Sequence, residues 1–153
     1  MKNFKISAVA LMVALSSNVV FAGNDRPGVM LAGALRSYLH RYGVVPGRRV
    51  TLIANNDAAR ATARDLMAAG VKVAAILDTR HDASAIEDCP VYLGATITGT
   101  AGRLGLTSIR FTHAGGEATL ETDCLAMSGG WNPTVHLTCH MNGRPVWRED
   151  IAA

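Results

Sequence analysis

Between Val50 and Asp78 the chain carries two apolar runs with almost no alternation, Val50-Thr-Leu-Ile-Ala54 and Val71-Lys-Val-Ala-Ala-Ile-Leu-Asp78. A strand with one wet face alternates apolar and polar side chains, whereas a strand without alternation is covered on both faces. Asn55-Asn56-Asp57 forms a loop after the first run. Ala58 to Ala69 then reads as a helix, with Ala59, Ala63 and Leu66 recurring on one side and Gly70 as its stop. Two such strands joined by one helix indicate parallel pairing through a right-handed crossover. This unit fixes the fold class as α/β: a Rossmann-like βαβ unit with a parallel sheet.

The same unit sets two loops side by side at the carboxyl ends of neighbouring strands, where open α/β sheets bind dinucleotides. Asp78 ends the second strand, about 20 residues past the first turn, at the position of an acid that accepts hydrogen bonds from an adenosine ribose. An acid there is also ordinary turn chemistry. Arg80 can meet a phosphate or lie in solvent. The glycine fingerprint is missing: Ala54-Asn55-Asn56-Asp57-Ala58-Ala59 stands where Gly-x-Gly-x-x-Gly would. A glycine-free turn keeps the backbone farther from a pyrophosphate. Asp57, as the expected N-cap, would use the N–H donors a phosphate needs and would repel it. Either a nucleotide sits shallowly, held by the Asn55 and Asn56 side chains, or the unit is a scaffold without a ligand.

On the N-terminal side, Asn24-Asp25-Arg26-Pro27-Gly28 is turn chemistry, with Pro27 able to start a helix. Met30, Leu31, Ala34, Leu35, Tyr38, Leu39 and Tyr42 recur at helical spacing, so a helix is expected over 27–42, stopped by Gly43. His40 falls on its solvent side. Beyond Asp78, residues 79–89 are polar and turn-rich. Strands are expected at Ala95–Thr100, Leu106–Phe111 and Ala118–Thr122, with Gly115-Gly116 as a hairpin turn: an antiparallel β excursion. Cys124–Met127 returns to the parallel sheet and runs into Ser128-Gly129-Gly130-Trp131-Asn132-Pro133. Glycines at a strand end let a backbone approach a flat or anionic ligand closely, which makes Gly129 and Gly130 candidate crevice residues. Trp131 fits the crevice or interdomain packing.

A chain of 153 residues supports one domain with a modest core. Its 5% aromatic content makes that core mostly Ala, Val, Leu and Ile. The net charge is +3, and no basic stripe is interleaved with aromatics, which argues against nucleic-acid binding. Three cysteines without a Cys-x-x-Cys argue against a disulfide framework or a dithiol redox centre. His136, Cys139 and His140, with His113 as a distant fourth, lack paired ligand spacing, so no metal site is expected. Lys2 and Lys5, the apolar run Ile6–Leu15 and Val20-Phe21-Ala22 form a signal-like leader over 1–22, too short for a good membrane span. That pattern reads as export, or as a fortuitous leader on a rearranged gene; an exported metal-binding protein is a further alternative, which requires cleavage after Ala22 and bound zinc.

Ser128-Gly-Gly-Trp-Asn-Pro-Thr-Val-His-Leu137 and Gly143-Arg-Pro-Val-Trp-Arg-Glu-Asp150 together resemble the alpha subunit of heterotetrameric sarcosine oxidase, a flavoprotein complex with two dinucleotide-type domains. Val20-Phe-Ala-Gly-Asn-Asp-Arg-Pro-Gly-Val-Met-Leu-Ala32 and Ala54-Asn-Asn-Asp57 are similar to it as well. The likeness runs from about residue 19 to the C-terminus and covers a central part of a much longer subunit; residues 1–18 do not share it. The resemblance implies a nucleotide-binding part of that subunit over 23–153, with the segments 27–42 and 131–153 contributed to an adjoining flavin-type domain. It further implies NAD as cofactor, FAD or FMN only in the full complex, and the other subunits of a hetero-oligomer as partners. The implied reaction of the complex is oxidative demethylation of sarcosine to glycine, formaldehyde and hydrogen peroxide. Such a subunit is expected in the cytoplasm. The chain has no segment matching an amine-oxidising flavin site, so alone it is expected to be inactive on sarcosine.

Overall fold

A computed structural model describes residues 21, 23–129 and 143–144. The expectations for the leader (1–22, apart from Phe21), Gly130, Trp131, the His136, Cys139 and His140 cluster and the tail 131–153 lie outside the described residues.

Strand β1 (Val29–Leu31) leads into α1 (Ala32–Tyr42), β2 (Arg49–Ala54), α2 (Ala58–Ala68) and β3 (Lys72–Asp78). Then follow β4 (Val91–Leu93), β5 (Thr96–Ala101), β6 (Ser108–His113), β7 (Gly116–Glu121) and β8 (Cys124–Ser128). Five strands form one all-parallel sheet in the order β1-β8-β2-β3-β4. The other three form an antiparallel sheet, β5-β6-β7.

The missing alternation in β2 and β3 has the expected cause, because both faces of the parallel sheet are covered. On one face Leu52, Ala54, Ile76 and Ala126 pack with Leu35 of α1 and with Ala59, Ala63 and Leu66 of α2. On the other, Ile53, Leu77 and Leu125 pack with Ile109 and Phe111 of the antiparallel sheet. Tyr92 closes that layer with its ring edge against Phe111, centroids 5.1 Å apart. The result is three layers: helices, parallel sheet, antiparallel sheet. Cys89 and Cys124 are buried small hydrophobes, and burial pushes the Cys124 thiol up to about 12.

Three expectations need correction. The helix expected over 27–42 begins only at Ala32, and Val29–Leu31 is instead an edge strand paired with Leu125–Met127. Gly28, at φ 102°, cannot sit in a helix, and its carbonyl accepts a hydrogen bond from the Leu125 N–H at 2.8 Å. The Pro27 carbonyl likewise accepts from the Leu106 N–H. Second, the polar stretch after Asp78 hides β4, whose three residues pair in parallel with Ile76–Asp78. Third, Asp57 does not cap α2 with its side chain. Asn56 Oδ1 accepts the Ala58 N–H instead, at 3.1 Å, because the Asp57 carboxylate is drawn away by two arginines.

Candidate functional site

In sequence β1 and β2 follow one another, but in the sheet β8 lies between them. That insertion holds the two strand-to-helix turns apart. Between them, above the end of β8, a cleft of about 580 Å³ opens at the carboxyl edge of the sheet. Ligand clefts usually span about 300–1,000 Å³. Its floor is Met127, Ser128 and Gly129. One wall is the start of α1, with Ala32, Gly33 and Ala34; the other is Asn56, Ala58 and Thr62.

The two helix starts that face this cleft differ. No side chain caps α1, and its first turn carries no acid. Its first residues, Ala-Gly-Ala, are small, and a Cβ placed on Gly33 would meet nothing within 4 Å. The N–H groups of a helix start carry partial positive charge and attract anions. At α2 the corresponding place is taken by Asn56. Its Oδ1 accepts from the Ala58 N–H at 3.1 Å and from Ser128 Oγ at 3.0 Å. Its Nδ2 donates to the Ser128 carbonyl at 3.1 Å and to Asn55 Oδ1 at 3.0 Å. The Asn55 N–H donates to the same Ser128 carbonyl. Asn55 and Asn56 thus tie the β2 loop to the end of β8.

Asp78 stands at the end of β3, as the sequence suggests, but it does not face open space. Its side chain is 0% exposed. Oδ1 accepts from the Arg80 backbone N–H and from Arg80 Nε, both at 3.0 Å. Oδ2 accepts from Arg60 Nη1 at 3.0 Å and Arg80 Nη2 at 2.9 Å. Arg60, itself only 5% exposed, also donates twice to the Ser84 carbonyl. Asp57, exposed at the rim, accepts from Arg80 Nη2 at 2.7 Å and from Arg60 Nη1 at 3.3 Å. Burial is the largest single influence on the Asp78 carboxyl and raises its pKa. The hydrogen bonds from Arg80 and Arg60 together outweigh it, so the carboxyl is held below the usual carboxylate range. The same contacts, Asp78 first, raise Arg80.

Of the residues singled out in the sequence, Asn56 and Gly129 line the cleft and Asn55 supports it. Asp57, Asp78 and Arg80 form a separate ionic cluster on the β3 side. Arg60 was missed, although it carried a signal. It lies beside the sheet-facing Ala59 and Ala63, where a charge needs a buried partner, and Asp78 is the acid at an apolar strand end. His40 is exposed, yet its Nε2 lies 3.0 Å from Asp65 Oδ2, which also accepts from Arg36 Nε. Among the described residues no group of His, Cys, Asp and Glu could hold a metal ion.

A three-layer domain whose parallel sheet opens a cleft at its carboxyl edge is of the Rossmann-like α/β class. L-proline dehydrogenase from P. horikoshii shares this fold with a TM-score of 0.52 at 16% identity, over 75% of this chain and 19% of that one. No protein-family model matches the chain. The particular relationship comes from sequence. The chain is homologous to a segment of the sarcosine oxidase alpha subunit. The Rhizobium meliloti (strain 1021) subunit is 46% identical over 137 residues, which cover 88% of this chain and 14% of that protein. The Corynebacterium sp. (strain P-1) subunit is 40% identical over 149 residues, covering 88% and 15%. The chain therefore spans only about 14–15% of the length of these relatives.

Proposed function

We propose that the chain is a nucleotide-binding part of a sarcosine-oxidase-like alpha subunit, and that NAD lies in the cleft above β8 with its phosphates toward the start of α1. The observation that carries this reading is the uncapped, acid-free start of α1 opening on a cleft of about 580 Å³. Gly33 and Gly129 leave room there for a ligand, while Asn55 and Asn56 fix the opposite wall. This reading moves the phosphate contact from the β2 turn, where the glycine fingerprint is absent, to the β1 turn. In the full complex, FAD or FMN would be shared with other subunits of a hetero-oligomer, and the reaction would be oxidative demethylation of sarcosine. Alone, the chain is expected to give no peroxide from sarcosine.

Calorimetric titration of the full chain with NAD tests the reading. Saturable heat is expected, and Gly33→Leu, which puts a side chain into the cleft, should weaken binding by at least about tenfold. No heat, or an affinity indifferent to that substitution, overturns it. A second reading, a non-catalytic interaction module on an inherited scaffold, is favoured by the glycine-free β2 turn and the fully engaged Asp78. It predicts no nucleotide heat at all.

The proposed compartment is the cytoplasm, where the cofactor of such a subunit is available. Among the described residues no helix is long and apolar enough to cross a membrane. Export of a reporter fused behind residue 22 would move the proposal to the periplasm.

A further inference from the structure

We propose that Arg60 and Arg80 fill, from within the chain, the place at the end of β3 where a carboxylate would read a ribose diol, so that the chain holds an adenosine subsite closed by its own side chains. An ionised carboxylate offers about four acceptor positions. At Asp78 all four are taken: two on Oδ1 by the Arg80 backbone N–H and Nε, two on Oδ2 by Arg60 Nη1 and Arg80 Nη2. A ribose cannot add a hydrogen bond there without displacing an arginine.

The two arginines are not equivalent. Arg60 is the inner one, buried and anchored to the Ser84 carbonyl through Nε and Nη2. Arg80 is the outer one, with a side chain 31% exposed and a third hold on the exposed Asp57. Loss of the Arg80 side chain frees one acceptor position on each oxygen of Asp78, the arrangement that a vicinal diol needs. Arg60 remains to pair the buried charge, so the carboxylate stays ionised. Arg80 is thus a specificity-determining residue: its fork decides whether this end of the sheet recognises adenosine.

The inference is independent of the α1 cleft, since failure of NAD to bind would leave the following measurement standing. The full chain is titrated calorimetrically with adenosine 5′-monophosphate and with its 2′,3′-dideoxy analogue. The unmodified chain is expected to treat the two alike. Arg80→Ala is expected to bind the diol-bearing nucleotide at least about tenfold more tightly than the dideoxy one, because a site that pairs a hydroxyl rejects the analogue lacking it. A diol preference already present in the unmodified chain overturns the inference, and so does its absence in Arg80→Ala. Arg80→Lys keeps the charge but gives up the two-pronged contact and should show a smaller preference of the same sign. Should Arg80→Ala not fold, indifference of Arg80→Lys to the diol overturns it equally.

Discussion

β1–α1 and β2–α2 are the same device used twice. Each is a parallel strand leading into a helix of 11 residues on the same face of the sheet, directly at α1 and through a three-residue loop, Asn55–Asp57, at α2. Yet one start is bare and the other is stopped up. At α1 the turn is made of small residues and nothing caps it. At α2 an amide side chain caps the first turn, and four charged groups, Asp57, Arg60, Asp78 and Arg80, fill the ground between α2 and β3. Topology therefore does not decide which turn can receive an anion. Local chemistry does, and it is the ground for proposing the α1 start rather than the strand-end acid as the anion contact.

Substitutions can test that contrast, beginning with the largest effect. Arg60→Ala removes a buried partner of Asp78 and should cost about 3–5 kcal/mol of folding stability. Urea unfolding followed by far-UV circular dichroism measures it; a loss under about 1 kcal/mol would mean that Arg80 alone suffices. Asn56→Ala unties the β2 loop from Ser128 and leaves α2 as bare as α1. A loss of about 1–3 kcal/mol is expected by the same assay, and no change would show that water replaces the amide.

A weaker, graded effect follows from pH. The folded pKa of Asp78 is depressed, so its stabilising contribution is present above the unfolded value of about 3.9. It is lost as pH falls through the lower folded value. Urea midpoints should therefore drop steadily below about pH 4, and Asp65, depressed chiefly by His40, adds to the same trend. A midpoint that rose on acidification would contradict both ion pairs. Smallest of all, Gly33→Leu should raise stability by about 0.5–1 kcal/mol through helix propensity alone, while still obstructing the cleft. Destabilisation would mean that the start of α1 is already packed.

Much of the scaffold was legible because two-sided burial leaves its mark on sequence. The β2–α2–β3 unit, the antiparallel excursion and the returning strand β8 follow from runs and glycines within a few residues of their ends. β1 was not legible because Met30 and Leu31 satisfy helical spacing as well as strand pairing, and only contact with Leu125–Met127 decides between them. β4 was too short to carry a pattern. The site was half legible. Asp78 stands where spacing puts it, but what surrounds a carboxylate depends on Arg60, one turn into a helix read only for its apolar face. The open start of α1 was hidden for the same reason as β1: the turn between them falls inside what reads as one continuous helix.

The position of β8 also bears on how the chain acquires its shape. Val29 and Val50 are not direct partners; Val50 already pairs with Val73, whereas Val29 waits for Leu125. A ribosome that has released only the first hundred residues has made β2, β3 and α2, which can assemble locally, but β1 still lacks its neighbour. The wedge that seats it is the last strand to emerge among the described residues. Nascent chains arrested before Cys124 should accordingly expose β1 and α1 to protease while β2–α2–β3 is already shielded, and the ligand cleft should come into being in a single late step.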